Sequence, residues 1–297
     1  MQEKIVKCPI CNQGSFSLFL KTGDYFLTRE EFIIQQCDGC GFKFVNPRPD
    51  KGEIGRYYQS EEYISHDAKK ANLFSRIYKL ARVHAIKGKY GIVAGHAHAG
   101  KILDIGCGTG EFLHYCKSRG LEVTGVEPND KAREYARKVN GIEVFNELGE
   151  AGISNPTYGC ITMWHVLEHV HDLNETLEMV KGMLHPEGIF VVAVPNSNSW
   201  DAGKYGKFWA AYDVPRHLYH FNKSTMDKLV GNHGFETIKI IPQKLDAYYV
   251  SMLSEKYRSE KNNYFTSLFS GFWSNFQAGR EGKGHSSQIF VLSLKKA

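Results

Sequence analysis

The sequence is first narrowed by what it lacks. Met1-Gln2-Glu3-Lys4 is polar, no apolar leader core follows it, and no run approaches the ~18 apolar residues a membrane span needs. The expectation is a cytoplasmic protein without stable membrane insertion. A concentrated basic face is also lacking. The net charge is +5, and from Ser251 onward seven lysines and arginines stand against three glutamates, with no nucleic-acid-binding motif among them. Nucleic acid is therefore not an expected partner. Without a secretory leader, the seven cysteines point to reduced thiols or bound metal rather than disulfides. What is present suits a globular chain: 297 residues, 42% hydrophobic and 23% charged, enough for a sizeable core and a smaller module.

Cys8-Pro-Ile-Cys11 and Cys37-Asp-Gly-Cys40-Gly41 form two C-x2-C pairs. Each short loop can present two thiolates to one tetrahedral zinc ion, and four thiolates close its coordination sphere, which makes such a site structural. The alternative is four unligated, reduced cysteines. Phe16 to Leu20 and Glu31 to Ile34 read as strands of a hairpin between the pairs, and Asn46-Pro47-Arg48-Pro49 marks the exit from this module.

From Ala71 to Ala81, apolar residues recur at helical spacing and predict a leader helix. Apolar strands then alternate with helical stretches: Lys101 to Ile105, Glu122 to Val126, Gly159 to Met163 and Gly188 to Val194, with Phe235 to Ile241 and Gln288 to Leu294 on either side of a helical insertion. Such alternation predicts a parallel sheet covered by helices. The turn after the first of these strands reads Leu103-Asp104-Ile105-Gly106-Cys107-Gly108-Thr109-Gly110-Glu111-Phe112-Leu113. It is G-x-G-x-G rather than the dinucleotide G-x-G-x-x-G, an aspartate precedes it, and Glu127 follows at the tip of the next strand. A carboxylate at that tip can accept hydrogen bonds from two ribose hydroxyls, and Asp104 is placed to engage a ligand ammonium.

With these features the chain resembles class I S-adenosylmethionine-dependent methyltransferases from about Gly52 to its end. Within that superfamily it is similar to a bacterial group with an N-terminal four-cysteine module, on the segments CGFKFVNPRP, RYYQSEEYISH, ILDIGCGTGEFL, MWHVLEHVHD, VVAVPNSNS and DVPRHLYHF in that order. The resemblance implies an α/β, Rossmann-like fold with a seven-stranded, mostly parallel sheet. It implies a zinc-ribbon-like module over residues 1–50, leader helices over 51–98 covering the cofactor site, and a methyltransferase domain over 99–297, with an acceptor segment at 196–222 and a helical insertion at 244–285. Gly106, Cys107, Gly108, Gly110 and Phe112 are expected at the methionine and ribose end, with Tyr63 from the leader segment. Glu127 and Pro128 are expected at the ribose, Glu147 and Leu148 near the adenine, and Trp164 and His165 beneath the sulfonium. Tyr158-Gly159-Cys160 departs from the family's usual Phe-Asp before the fourth strand, a change expected to affect local packing.

His165 to His169, HVLEH, spells the zinc-peptidase pattern H-x-x-E-H in isolation. A peptidase would need a further downstream glutamate ligand and would leave the glycine turn without a role. In the methyltransferase reading the stretch follows a buried strand at the ligand-binding edge of the sheet. Glu168 and His169 then belong to the first turns of the next helix. His169 reads as a packed or capping histidine, and His165 as either a ligand contact or packing.

The acceptor side is expected in Trp209-Ala-Ala-Tyr212-Asp213-Val-Pro215-Arg216-His217-Leu-Tyr219-His220-Phe221. His217 is the expected base, because zinc-containing sugar C-methyltransferases, which the chain resembles, carry a functional histidine at a similar point. Arg216 stands where those enzymes have an acidic residue, so the expected acceptor atom is a hydroxyl rather than a carbon. The alternative for Asp213 to His217 is a salt-bridged loop. Arg216 would match a phosphate or carboxylate on the acceptor. That suggests a sugar nucleotide or surface-polysaccharide precursor. A phenolic or quinone-like acceptor is the second reading, since ubiquinone-pathway methyltransferases share the VLEH segment, and a non-catalytic cofactor-binding protein is the third. In the insertion, Phe265, Leu268, Phe269, Phe272, Trp273 and Phe276 form one apolar stripe. It is read as a lid or a subunit interface of a homodimer, ahead of attachment to a membrane surface.

Overall fold

The computed structural model describes residues 1–59, 73–96, 101–151, 158–260, 263–280 and 284–296, the side chains of 73–81 excepted. Strands β1 (Gln2–Glu3), β2 (Phe16–Gly23), β3 (Glu31–Cys37), β4 (Lys43–Val45) and β5 (Arg48–Pro49) come first. Helix α1 (Leu73–Val93) leads into β6 (Lys101–Ile105), α2 (Glu111–Ser118), β7 (Glu122–Val126), α3 (Asp130–Lys138) and β8 (Glu143–Phe145). After β9 (Tyr158–Trp164), α4 (Leu173–Met183) and β10 (Leu184–Pro195) come α5 (Trp200–Tyr205), β11 (Tyr219–His220), α6 (Lys223–Asn232) and β12 (Phe235–Pro242). Helices α7 (Asp246–Ser259) and α8 (Tyr264–Arg280) precede β13 (Ser287–Leu294).

The large sheet has seven strands in the order β12-β13-β10-β9-β6-β7-β8. β9, β6, β7, β8 and β10 pair in parallel, while β13 runs antiparallel to both neighbours. β9 and the latter half of β10 are buried almost throughout because helices cover both faces, which is why those segments read as unbroken apolar runs. From β6 the chain steps outward through β7 and β8, then returns to β6's other side with β9. This reversal opens a crevice beyond the carboxyl ends of β6 and β9, the ligand position in open α/β sheets.

The second sheet has the order β11-β4-β3-β2, so Tyr219 and His220 of the acceptor segment pair with Phe44 and Lys43. Cys8, Ile10, Cys37, Phe42 and Phe44 share one hydrophobic core with Leu103, Ile105 and Met163. The four-cysteine segment is thus packed into the core of the seven-stranded sheet.

Helix α1 falls inside the expected leader segment 51–98, and α7 and α8 fall inside the expected insertion 244–285. One local expectation is corrected. Glu168 and His169 do not begin a helix: Leu167–His169 is one 3-10 turn, and α4 starts at Leu173. α8 buries Ser267, Ser270, Gly271, Ser274 and Ala278, while Phe265 is 83% exposed and Leu268, Phe269, Phe272 and Phe276 also face outward. A Cβ on Gly271 would lie 2.8 Å from the Tyr248 Cα, so small residues let α8 press against α7 and turn its large side chains away.

Candidate active site

Asp104, next to last in β6, is nearly fully buried, and Thr162 Oγ1 on the adjacent strand donates to its Oδ1 at 2.6 Å. Burial raises this carboxyl from 3.8 to about 7; the Thr162 bond and the nearby Lys89 ammonium restrain the rise, and Glu127 adds to it. The chain then turns through Gly106 and Gly108, both with positive φ, a backbone conformation that glycine adopts without Cβ strain. At Gly106 a Cβ would also collide with Val166 at 2.4 Å, whereas the space at Gly108 is open. Gly106 and Cys107 donate backbone N–H to Val126 O at 2.7 and 3.0 Å, and Gly108 N–H donates to Glu127 Oε2 at 2.8 Å. The glycine loop is therefore pinned to the tip of β7 by the same carboxylate expected to hold a ribose.

Asn129 N–H donates to Glu127 Oε1 at 2.9 Å, and Arg133 Nη1 bridges Glu127 O, Pro128 O and Asn146 Oδ1, fixing the β7 and β8 tips together. Glu147 is exposed and Leu148 half-buried just beyond β8. Phe112 stacks edge-on against Trp164, with ring centroids 5.6 Å apart. Asp104, Gly106, Cys107, Gly108, Gly110, Phe112, Glu127, Pro128, Glu147, Leu148, Trp164 and His165 thus lie along one sheet edge and its turns. Tyr63 lies outside the described residues. Sequence reasoning missed Lys89, a half-buried residue of α1 whose ammonium sits 4.6 Å from the Trp164 ring centroid. Nothing in its local sequence marks it.

His165 adopts a left-handed backbone at φ 58°, turning its ring toward a cleft of about 1650 Å³. Its Nε2 is 3.3 Å from Asp246 Oδ2 of α7 and its Nδ1 is 3.4 Å from Glu168 Oε1. Burial opposes charging of the ring, but Asp246 and Glu168 outweigh it and raise the imidazole to about 10. The Glu168 contact lies within ion-pair range but off hydrogen-bond geometry, so neither buried Glu168 oxygen has a hydrogen bond among the described residues. Asp246 is a second residue that sequence reasoning missed, because only the packing of α7 brings it to the β9 tip.

The cleft runs from His165 and His217 to Tyr25, Phe208 and Tyr257. Tyr25 stacks with Tyr257 at 5.4 Å and lies 5.3 Å from Phe208, so the hairpin between β2 and β3 and helix α7 join in one aromatic wall. His217 Nδ1 meets Ala211 O at 2.8 Å, which assigns the proton to Nδ1 and leaves a lone pair on Nε2. His169 Nδ1 lies 2.9 Å from both Arg216 O and Tyr58 Oη, and burial lowers its imidazole to about 4. Arg216 does not present a free fork to the cleft. Its guanidinium donates to Asp24 at 2.8 Å, to both Asp213 oxygens at 2.6 and 2.9 Å, and to Tyr57 O at 3.0 Å. The expectation that Arg216 binds an acceptor anion is overturned by these two internal carboxylates.

Cys8 Sγ lies 3.5 Å from Cys40 Sγ, Cys11 Sγ lies 3.4 Å from Cys37 Sγ, and all four sulfurs fall within 4.8 Å of one another. Zinc–sulfur bonds of about 2.3 Å in a tetrahedron place sulfurs about 3.8 Å apart, so this set fits one ion.

The strand order, the reversed β13 and the glycine turn at the switch point define a class I, Rossmann-like S-adenosylmethionine-dependent methyltransferase. The chain matches the model of the methyltransferase domain family over residues 62–240, and it belongs to that family. It is 27% identical over 154 residues to a ubiquinone biosynthesis O-methyltransferase of Azoarcus sp. (strain BH72), covering 47% of this chain and 66% of that protein. It is 33% identical over 106 residues to the ubiquinone biosynthesis O-methyltransferase of Rhizobium etli (strain CIAT 652), covering 32% of this chain and 41% of that one. Among solved structures, a SAM dependent methyltransferase from Archaeoglobus fulgidus superposes with a TM-score of 0.50 at 18% identity, over 75% of this chain and all of the other. A Burkholderia thailandensis 1,6-didemethyltoxoflavin-N1-methyltransferase superposes with a TM-score of 0.50 at 15% identity, over 91% and 98% of the two chains. Both structures share the fold.

Proposed function

We propose that the protein methylates a hydroxyl of a small, ring-bearing molecule held in the cleft that Tyr25, Phe208 and Tyr257 line. When bound, S-adenosylmethionine supplies an electrophilic methyl group on a sulfonium. Asp104 receives the ligand's ammonium, Glu127 its ribose hydroxyls, and Leu148 borders its adenine. Trp164 and His165 form the floor between this site and the acceptor. The observation that carries the reading is the shared cleft: His165 at the sheet edge and His217 from the acceptor segment open onto one aromatic-walled space. His217 Nε2 is the lone pair on which removal of the hydroxyl proton depends. Cys8, Cys11, Cys37 and Cys40 hold a structural zinc that fixes the hairpin forming one cleft wall.

Kinship to ubiquinone-pathway O-methyltransferases favours a phenolic or quinone-like acceptor. A sugar nucleotide is the second reading, favoured by Arg29, Lys256 and Arg258 along the cleft. The test is S-adenosylhomocysteine release across a panel of phenols and nucleotide sugars. Product with one class assigns the acceptor. Cofactor-induced thermal stabilisation with no product from any hydroxyl acceptor would refute hydroxyl methylation.

A further inference from the structure

We propose that Glu168, His169 and His217 form a second metal site, holding one divalent first-row cation at the floor of the acceptor cleft, separate from the four cysteines. One ligand atom from each residue lies within 4.8 Å of the others, so small side-chain rotations bring all three to bonding distance of one ion. Glu168 is only 1% exposed, yet neither carboxylate oxygen makes a hydrogen bond among the described residues. An ionised carboxylate in that position is costly unless a cation meets it. His165 comes within 3.4 Å of one oxygen, off hydrogen-bond alignment, and leaves the second unmatched.

The two imidazoles are each anchored through Nδ1, as metal-ligating histidines commonly are. His169 Nδ1 meets Arg216 O at 2.9 Å and His217 Nδ1 meets Ala211 O at 2.8 Å. Backbone carbonyls that take the Nδ1 protons place the free lone pair of each ring on Nε2; Tyr58 Oη also lies 2.9 Å from the His169 Nδ1, and Asp213 Oδ2 lies 4.0 Å from the His217 Nε2. The contributing loops are locked in register, because Leu218 N–H donates to Glu168 O at 2.8 Å while Arg216 O meets His169. The ring centroids of His169 and His217 stand 4.6 Å apart at 81°. Two imidazoles and one carboxylate suit a divalent transition ion with open positions, unlike the closed thiolate set.

This inference rests on the hydroxyl-methylation reading and reassigns His217 within it: with Nε2 on the ion, His217 promotes loss of the acceptor's proton through the metal rather than as a free base. An acceptor oxygen coordinated at an open position loses its proton to solvent. That oxygen then forms the bond to the methyl carbon as the C–S bond breaks and its electron pair stays on sulfur. A second oxygen beside the reacting hydroxyl can occupy another open position, which selects acceptors with two neighbouring oxygens.

The test uses the full zinc-loaded chain titrated with Mn2+ and followed by electron paramagnetic resonance, since Mn2+ does not compete for thiolates. One bound Mn2+ per chain is expected. Glu168→Gln and His217→Ala should each weaken Mn2+ binding at least ten-fold while retaining full zinc and the thermal shift given by S-adenosylhomocysteine. If the wild-type chain binds no Mn2+, or if both variants bind it as well as the wild type, the second site is refuted. Loss of the S-adenosylhomocysteine shift in the wild type would count instead against the cofactor assignment.

Discussion

Arg216 and Asp24 lie 192 positions apart in sequence, yet Arg216 Nη2 donates to Asp24 Oδ1 at 2.8 Å, with the two side chains only 2% and 0% exposed. The bond joins the acceptor segment to the hairpin after β2. Asp24 also accepts from the Leu27 and Thr28 backbone N–H groups, so it organises the turn that carries Tyr25 into the cleft. A residue that looks in sequence like a ligand hook therefore acts as an internal tie.

Removing Arg216 should be costly for that reason. Arg216→Met leaves Asp24 buried without its counter-charge, a change that typically costs about 3–5 kcal/mol. Chemical denaturation should show the loss, and a variant as stable as the wild type would contradict the tie. Burial alone would raise the Asp24 carboxyl, but the Arg216 bond and the Thr28 N–H hold it below 3.8. The associated stability is present above the unfolded value and lost as pH falls through the depressed folded value. Arg216→Met should therefore flatten the acid limb of the stability curve.

Asp104 has the opposite sign. Its carboxyl is raised from 3.8 to about 7, so its protonated form stabilises the empty protein, fully below pH 3.8 and progressively less as pH rises through 7. Pairing with a ligand ammonium needs the ionised form. Calorimetric affinity for S-adenosylhomocysteine should thus be greatest above pH 7 and fall by about ten-fold per unit below it. Asp104→Asn should lower the plateau by ~1.5–3 kcal/mol and abolish the slope. A wild-type affinity constant between pH 5.5 and 8 would disprove the pairing.

The parallel sheet and the glycine turn were legible because both are local signals. Buried parallel strands read as apolar runs, and only glycine satisfies both the left-handed turn and the contact at Gly106. The partners of Arg216 were not all legible, since a salt bridge to Asp213 is visible in local spacing but Asp24 comes from 192 positions away, at the far strand of the sheet. Lys89 and Asp246 escaped notice for the same reason. The HVLEH stretch misled at the level of backbone: H-x-x-E-H suggests one helical face, but the positive φ at His165 and the 3-10 turn send His165 and His169 to different partners. His165 meets Asp246, whereas His169 meets Tyr58 and Arg216.

The four cysteines should hold one zinc whose loss loosens the cleft wall. Cys8→Ser should lower zinc toward zero by elemental analysis and reduce thermal stability, because Cys8 and Cys37 are wholly buried in the shared core. Cys107→Ser should keep the metal, since Cys107 sits in the glycine turn among backbone groups. Full zinc in Cys8→Ser would disprove the four-thiolate site.

The two faces of α8 should respond to mutation in reverse of the usual amphipathic pattern. Ordinarily a large apolar residue on a helix is buried, and its replacement by a polar one costs about 2–5 kcal/mol. Here Phe269 and Phe272 are 55% and 56% exposed, while Ser274 is buried and donates to Asp201 Oδ1 at 2.7 Å. Phe269→Ser with Phe272→Ser should therefore leave the unfolding midpoint nearly unchanged, within the ±0.5 kcal/mol usual for surface positions. Gly271→Val should instead destabilise strongly, because its Cβ would come within 2.6 Å of Tyr248 Cδ1 and force α8 off α7. Denaturation of the three proteins decides the matter. A large loss in the double phenylalanine variant, with tolerance at Gly271, would mean that the aromatic stripe packs inward after all.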